Sequence, residues 1–138
     1  GSETAVPDDT TVTTTTAVTP TCVASSGLCA VIDSITIEDD HFLVAYSTVG
    51  YEPKIDDGDP ASHHIHFFYD SVPVERAGLP VGDGTDWVVW DVDERGQKFF
   101  RSFRVDDVPE GAGSICAIVA THDHHIDEGA VPSCRPLP

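Results

Sequence analysis

The sequence predicts an all-β fold: an antiparallel β-sandwich preceded by a disordered Thr-rich N-terminal tail. Three observations point there. Apolar residues recur in short alternating runs rather than at a helical period. Clusters of Gly, Pro and Asp fall between those runs. Four cysteines in 138 residues, an even number, suit a disulfide-stapled domain in an oxidising compartment.

Residues 1–21 read as a linker or tail. Thr10-Thr11-Val12-Thr13-Thr14-Thr15-Thr16 is low in complexity, with Pro7 and Pro20 beside it. Such a segment buries too little apolar surface to offset its ordering entropy, and Thr-rich stalks link surface proteins to their anchors. The alternative is a Thr-rich edge strand, since Thr favours strands. Residues 22–138 then form a single β-sandwich domain.

From Leu28 onward, Val31, Asp33, Ile35 and Ile37 alternate with Ile32, Ser34, Thr36 and Glu38. Glu38-Asp39-Asp40 signals a turn and His41 to Val49 is a second strand, so 30–49 reads as a hairpin. Gly50 to Pro60 holds Pro53, Gly58 and acidic residues, and is a loop. His63 to Tyr69 is the third strand, and Val72 to Asp86 a long Pro/Gly loop. Trp87 to Asp93 and Gln97 to Val105 are expected to pair as a hairpin around Glu94-Arg95-Gly96. Ser114 to Thr121 is the most apolar strand and is expected to be central. A short last strand follows before Cys134. About six to eight such strands fit an immunoglobulin-like or cupredoxin-like Greek key.

A formal net charge of −17, from 24 acidic against seven basic residues, argues against nucleic acid, whose phosphates need clustered Lys and Arg. No apolar run approaches the ~18–20 residues of a membrane span. No signal peptide is visible, and Gly1-Ser2 reads as a cloning scar that leaves room for a trimmed leader. Arg95, Lys98, Arg101 and Arg104 crowd one stretch. They read as an exposed strand balancing nearby acids, with an anion-binding patch as the alternative. The cysteines allow three pairings; Cys22–Cys29 with Cys116–Cys134 is preferred, because each closes a short loop and the second ties the chain's end to a core strand.

Six of the seven histidines fall in two clusters, His63-His64-Ile65-His66 and His122-Asp123-His124-His125. Imidazole is the commonest protein ligand for zinc and copper. On a strand, residues i and i+2 share a face about 7 Å apart, so His64 and His66 share a face with Phe68 and Asp70. His63, Ile65, Phe67 and Tyr69 form the other face, which looks like the core. The two histidines then point away from that core or toward a loop-covered pocket. His122 and His124 have the same spacing, so four imidazoles converge if the two segments are neighbours. Zinc accepts four in a tetrahedron and Cu(II) in a plane. Asp70 or Asp123 would serve as a ligand or as an acceptor fixing a ring. The competing reading is structural: His125 and His41 exposed, His63 capping a core face, the rest bonded to backbone or carboxylate.

His66, Cys116 and His122 stand in the order of the ligands of blue-copper cupredoxins, which this stretch resembles. It departs from that family in having no Met, a five-residue gap from Cys to His, and a partner for Cys116 in Cys134. His64-Ile65-His66 with Asp70 resembles the copper strand of copper/zinc superoxide dismutase over a handful of residues. A broader resemblance, over roughly residues 30 to 138, is to uncharacterised secreted bacterial β domains. It rests on His63 to Asp70 (HHxHFFxD), on the Val72 to Pro80 loop, and on Cys116 to His124 (CxxVAxxDH) with Cys134. That resemblance implies secretion, a sandwich and the Cys116–Cys134 bridge, and it favours His64, His66 and His124 over His122 and His125.

Other motifs carry less. Asp91-Val92-Asp93-Glu94-Arg95-Gly96 begins like a calcium loop, but Arg95 stands where an oxygen is needed, so a turn is expected. Asp56, Asp57 and Asp59 read as solvated loop acid. Trp87, Trp90, Phe99 and Phe103 read as core rather than as a sugar platform. The combined reading is a secreted, periplasmic or cell-surface-anchored domain that binds a copper or zinc ion through His64, His66, His122 and His124. One alternative is a non-catalytic surface interaction or adhesion module with structural histidines and a protein or glycan partner. The other is a copper redox protein of cupredoxin or dismutase type. No catalytic residue is assigned.

Overall fold

The computed structural model describes residues 22–138; the tail expected over 1–21 lies outside the described residues. Among the described residues, seven strands form two antiparallel sheets: β1 (Cys29–Glu38), β2 (His41–Val49), β3 (His63–Tyr69), β4 (Val88–Trp90), β5 (Phe99–Phe100), β6 (Ser114–Thr121) and β7 (Ser133–Pro136). One sheet runs β1-β2-β5 and the other β4-β3-β6-β7. This is the two-sheet split of an immunoglobulin-like sandwich. No helix of the described residues is long and apolar enough to cross a membrane.

The β1–β2 hairpin forms as expected, with Glu38 opposite His41. Asp39 and Asp40 have φ of 51° and 65°, the left-handed pair that a two-residue hairpin turn requires and that Asp tolerates. The alternation read along β1 breaks, however. The register shifts between Ile32 and Ser34, and this bulge adds a residue to one strand. Ile32 and Ile35 both turn inward, while Ile37 is exposed.

The hairpin expected from Trp87 to Val105 does not form. The turn at Glu94-Arg95-Gly96 is present, held by Asp93 N–H on Gln97 O and by the Asp93 carboxylate accepting from Arg95 N and Gln97 N. Its two arms go to different sheets: β4 pairs with β3, and β5 pairs with β2. Each arm contributes only two or three residues to its sheet, so long-range pairing outweighs the local turn. Of the basic residues nearby, Lys98 pairs with Glu52, Arg101 with Glu38, and Arg104 with Asp106, as expected of a charge-balanced surface. Phe100 fills the core beside Trp90 and Phe103, and Trp87 lies elsewhere under a loop, so the four aromatics share no platform.

Between the sheets lies one core, built on Ile32, Val44, Tyr46, Ile65, Phe67, Phe100, Ile115 and Val119. A second, smaller cluster sits on the outer face of the four-stranded sheet. There Phe68, Cys116 and Ile118 are roofed by Ala77 and Trp87. The long loop after β3 makes that roof; a short 3-10 turn at Val74–Arg76 and a cis Leu79–Pro80 peptide lie within it.

Both expected disulfides are present, Cys22–Cys29 and Cys116–Cys134. The second crosses directly between β6 and β7, where the two residues face each other. Breaking it with Cys116→Ala/Cys134→Ala releases an 18-residue loop. The expected loss is about 3 kcal/mol of unfolding free energy, read as a lower urea midpoint. The side chains of β7 also reach across to β1: Ile32 N–H donates to Ser133 Oγ at 3.1 Å, and Arg135 Nε donates to Ile32 O at 3.2 Å.

Candidate metal centre

β3 lies between β4 and β6 in the middle of its sheet. Its two-residue period sends Ile65, Phe67 and Tyr69 into the main core, and His64, His66 and Phe68 to the opposite face. That face is covered by the long loop, so of the two orientations read from sequence the loop-covered pocket is the one formed. His64 and His66 have no exposed surface. Opposite them on β6 stand Ala120 and Ile118, whose small or compact side chains leave the imidazoles room.

The third histidine arrives from the turn after β6. Thr121 N–H donates to His125 O, and His124 N–H to Thr121 O. His124 has φ 69°, a left-handed conformation that is uncommon outside Gly and that gathers at functional sites. This turn folds the chain back on β6, with Asp127 N–H on Val119 O. It brings the His124 ring over His64. The roof loop is tied to the same turn by Leu79 N–H on His124 O at 2.9 Å. Gly78 makes this approach possible, because a Cβ there would lie 2.8 Å from Ile126 Cγ1 and 3.1 Å from His124 O.

The three rings converge. His64 Nε2 is 3.1 Å from His66 Nε2 and 3.2 Å from His124 Nδ1. One nitrogen from each ring lies within 4.8 Å of the others. Two nitrogens bound to one tetrahedral zinc at 2.0–2.1 Å are themselves about 3.3 Å apart, so two of the three edges already have ligand spacing. His66 Nδ1 donates to Ala77 O at 2.6 Å, and Trp87 stacks on the ring, 9° from parallel. That bond fixes the tautomer and leaves the Nε2 lone pair facing the cluster.

Burial, then the neighbouring His124, pushes His64 down to about 4. Burial, with His64 and His124 adding and the Ala77 bond opposing, pushes His66 down to about 3. Both rings are therefore neutral near pH 7, the state that can ligate a metal. His64 Nδ1 is buried without a partner. If Nδ1 carries the proton, that donor is unpaired and the Nε2 lone pair meets that of His66. If Nε2 carries it, Nδ1 is an unpaired acceptor. A cation between the nitrogens would relieve the meeting of lone pairs in the first case; Nδ1 stays without a partner in either. The trio could hold a metal ion.

Its outer partners differ from those expected. Asp70 accepts from Gly113 and Ser114 N–H, at the far end of β3. Asp123 bonds the Thr121 hydroxyl and lies 3.1 Å from His125 Nδ1. The carboxylate beside the cluster is Asp57, 3.5 Å from His124 Nε2, the nitrogen pointing away from the site. Nothing in the sequence set Asp57 apart from Asp56 and Asp59, and Ala77 acts through its backbone, which leaves no sequence signal at all. Asp57→Asn is expected to weaken metal binding by about tenfold, measured by competition with a chromophoric chelator.

His122 stands outside the trio, beside His125 and Glu128 on a shallow surface depression. His63 lies 3.6 Å from Asp127, whose other oxygen accepts from Ser26 Oγ, and packs edge-on against Tyr51. His41 Nδ1 bonds Asp39 O. Cys116, engaged with Cys134, has no thiolate to offer a metal. No protein-family model, curated protein or solved structure matches this chain.

Proposed function

We propose that this domain binds one copper or zinc ion through His64, His66 and His124, and that its role is to scavenge, buffer or deliver that metal outside the reducing cytosol. The observation that carries the reading is the convergence of three imidazoles on one point, with His66 oriented from behind by Ala77 O so that its Nε2 lone pair faces the other two rings. Imidazole suits both Zn(II) and Cu(II), so the donor set admits either. Two disulfides support a secreted or cell-surface setting, and a net charge of −17 favours the approach of cations.

The competing reading, an interaction or adhesion module whose histidines only pack, does not account for three imidazole nitrogens converging at ligand spacing. A cupredoxin-type copper centre is disfavoured by the disulfide at Cys116. The deciding measurement is calorimetric titration of metal-stripped protein with Cu(II) and then Zn(II), repeated on His64→Ala/His66→Ala. One-to-one binding that the double substitution removes is the expected result. Weak binding of several ions, unchanged by the substitutions, would sink the proposal.

A further inference from the structure

We infer that the centre keeps a coordination position open to a nitrogen-donor ligand carried on an apolar, aromatic body. This rests on the metal-binding reading above and goes beyond it. Among the described residues the group has three members. Structural zinc sites close with four protein ligands, whereas three ligands leave a position for an exogenous one. One of the three rings reaches a cleft through which an added ligand could approach. His124 is about 29% exposed on its side chain, and it lines a cleft of about 540 Å³ with Leu79, Gly84, Trp87, Val88 and Val89. That volume falls in the range of about 300–1,000 Å³ typical of small-molecule sites.

The walls define the ligand. Leu79, Val88 and Val89 are aliphatic, and Leu79 is 38% exposed, an apolar rim that an apolar ligand would cover. Trp87 forms the floor with the indole that stacks on His66, so the same aromatic plane borders both cleft and centre. No cationic side chain lines the cleft, and Asp57 stands beside His124. The lining thus offers an anionic ligand no ion pair of its own, and what it adds to the metal's pull is apolar contact.

The test uses Co(II)-loaded protein, whose visible spectrum reports on ligands to the metal, titrated with imidazole and with a phenyl-substituted imidazole. The expected result is a spectral change with both, and affinity for the phenyl compound at least about tenfold higher, because its ring leaves water for the cleft. Leu79→Gln removes apolar wall at an exposed position. Gly84→Phe fills the cleft from a site where an added Cβ meets nothing within 4 Å. Each is expected to erase most of the phenyl advantage while leaving Co(II) affinity and imidazole binding unchanged. Equal affinity for the two compounds in the unaltered protein would overturn the role of the cleft. A Co(II) spectrum indifferent to both would overturn the open position while leaving metal binding intact. Failure to retain Co(II) at all would remove the metal reading and this inference with it.

Discussion

Alanine at His124 is expected to cut Cu(II) and Zn(II) affinity by at least about a hundredfold while leaving the metal-free fold within about 1 kcal/mol of its original stability. The separation follows from where the ring sits. His124 supplies one of three converging nitrogens, and losing even the groups that orient a metal ligand typically costs 10–100-fold. Yet its side chain is partly exposed, and its turn is held by backbone bonds from Thr121, His125 and Leu79, which alanine keeps. His66→Ala should instead damage both properties: the metal ligand is lost, Ala77 O loses its donor, and a cavity opens beneath Trp87, a combination worth roughly 2–4 kcal/mol. His122→Ala should change neither, since that ring stands outside the trio. Calorimetric titration beside urea unfolding reads both quantities for all three variants. Equal loss of affinity at His122 and His124 would show that the second cluster binds metal as a unit, against the geometry.

Acid should destabilise the metal-free protein well above the range where carboxylates titrate. His64 and His66 are held down to about 4 and about 3, while in the unfolded chain each has the ordinary histidine value near 6.5. Below pH ~6.5 the unfolded state therefore binds protons that the folded state refuses, and unfolding free energy falls as pH falls. The stability associated with these neutral rings is complete above pH ~6.5 and drains away down to the folded values. By pH 5 the loss is about 2 kcal/mol for each ring. Urea midpoints at pH 7.5 and pH 5 would measure it. His64→Leu/His66→Leu, less stable overall, should show a flatter profile by about 4 kcal/mol over that interval. Identical slopes in the two proteins would mean that the rings are hydrated or already charged. Saturating Zn(II) should deepen the acid sensitivity, since protons then compete with the ion for the same nitrogens.

Much of this architecture was legible in the residues. The β1–β2 hairpin was readable because alternation and an Asp-Asp turn agree, and the pairing of His64 with His66 because a strand's period is two. What escaped was settled by contacts distant in sequence or by backbone conformation. The bulge at Asp33 reverses a face without any change in composition. Residues 88–90 and 99–100 are too short for local pattern to reveal which sheet each joins. His122 and His124 have equal claims by spacing; the resemblance through Cys116 to His124 favours His124, and the left-handed backbone there is what turns its ring toward His64. Loops supply the roof, the tautomer-setting carbonyl and Asp57, and loop conformation has no period to read.

The bonds from Ser133 and Arg135 to Ile32 have a consequence for how the molecule behaves in a crowd. β1 is the outermost strand of its sheet, and an outermost strand offers its unpaired amides and carbonyls as a template for any passing chain. At Ile32 both groups are occupied, the N–H by a hydroxyl and the carbonyl by a guanidinium. A foreign strand seeking to extend the sheet there would first have to strip two side chains from the seam and leave Arg135 without its acceptor. The closing strand thus acts as a guard against self-templated polymerisation, at the point where the sandwich is otherwise open along its side.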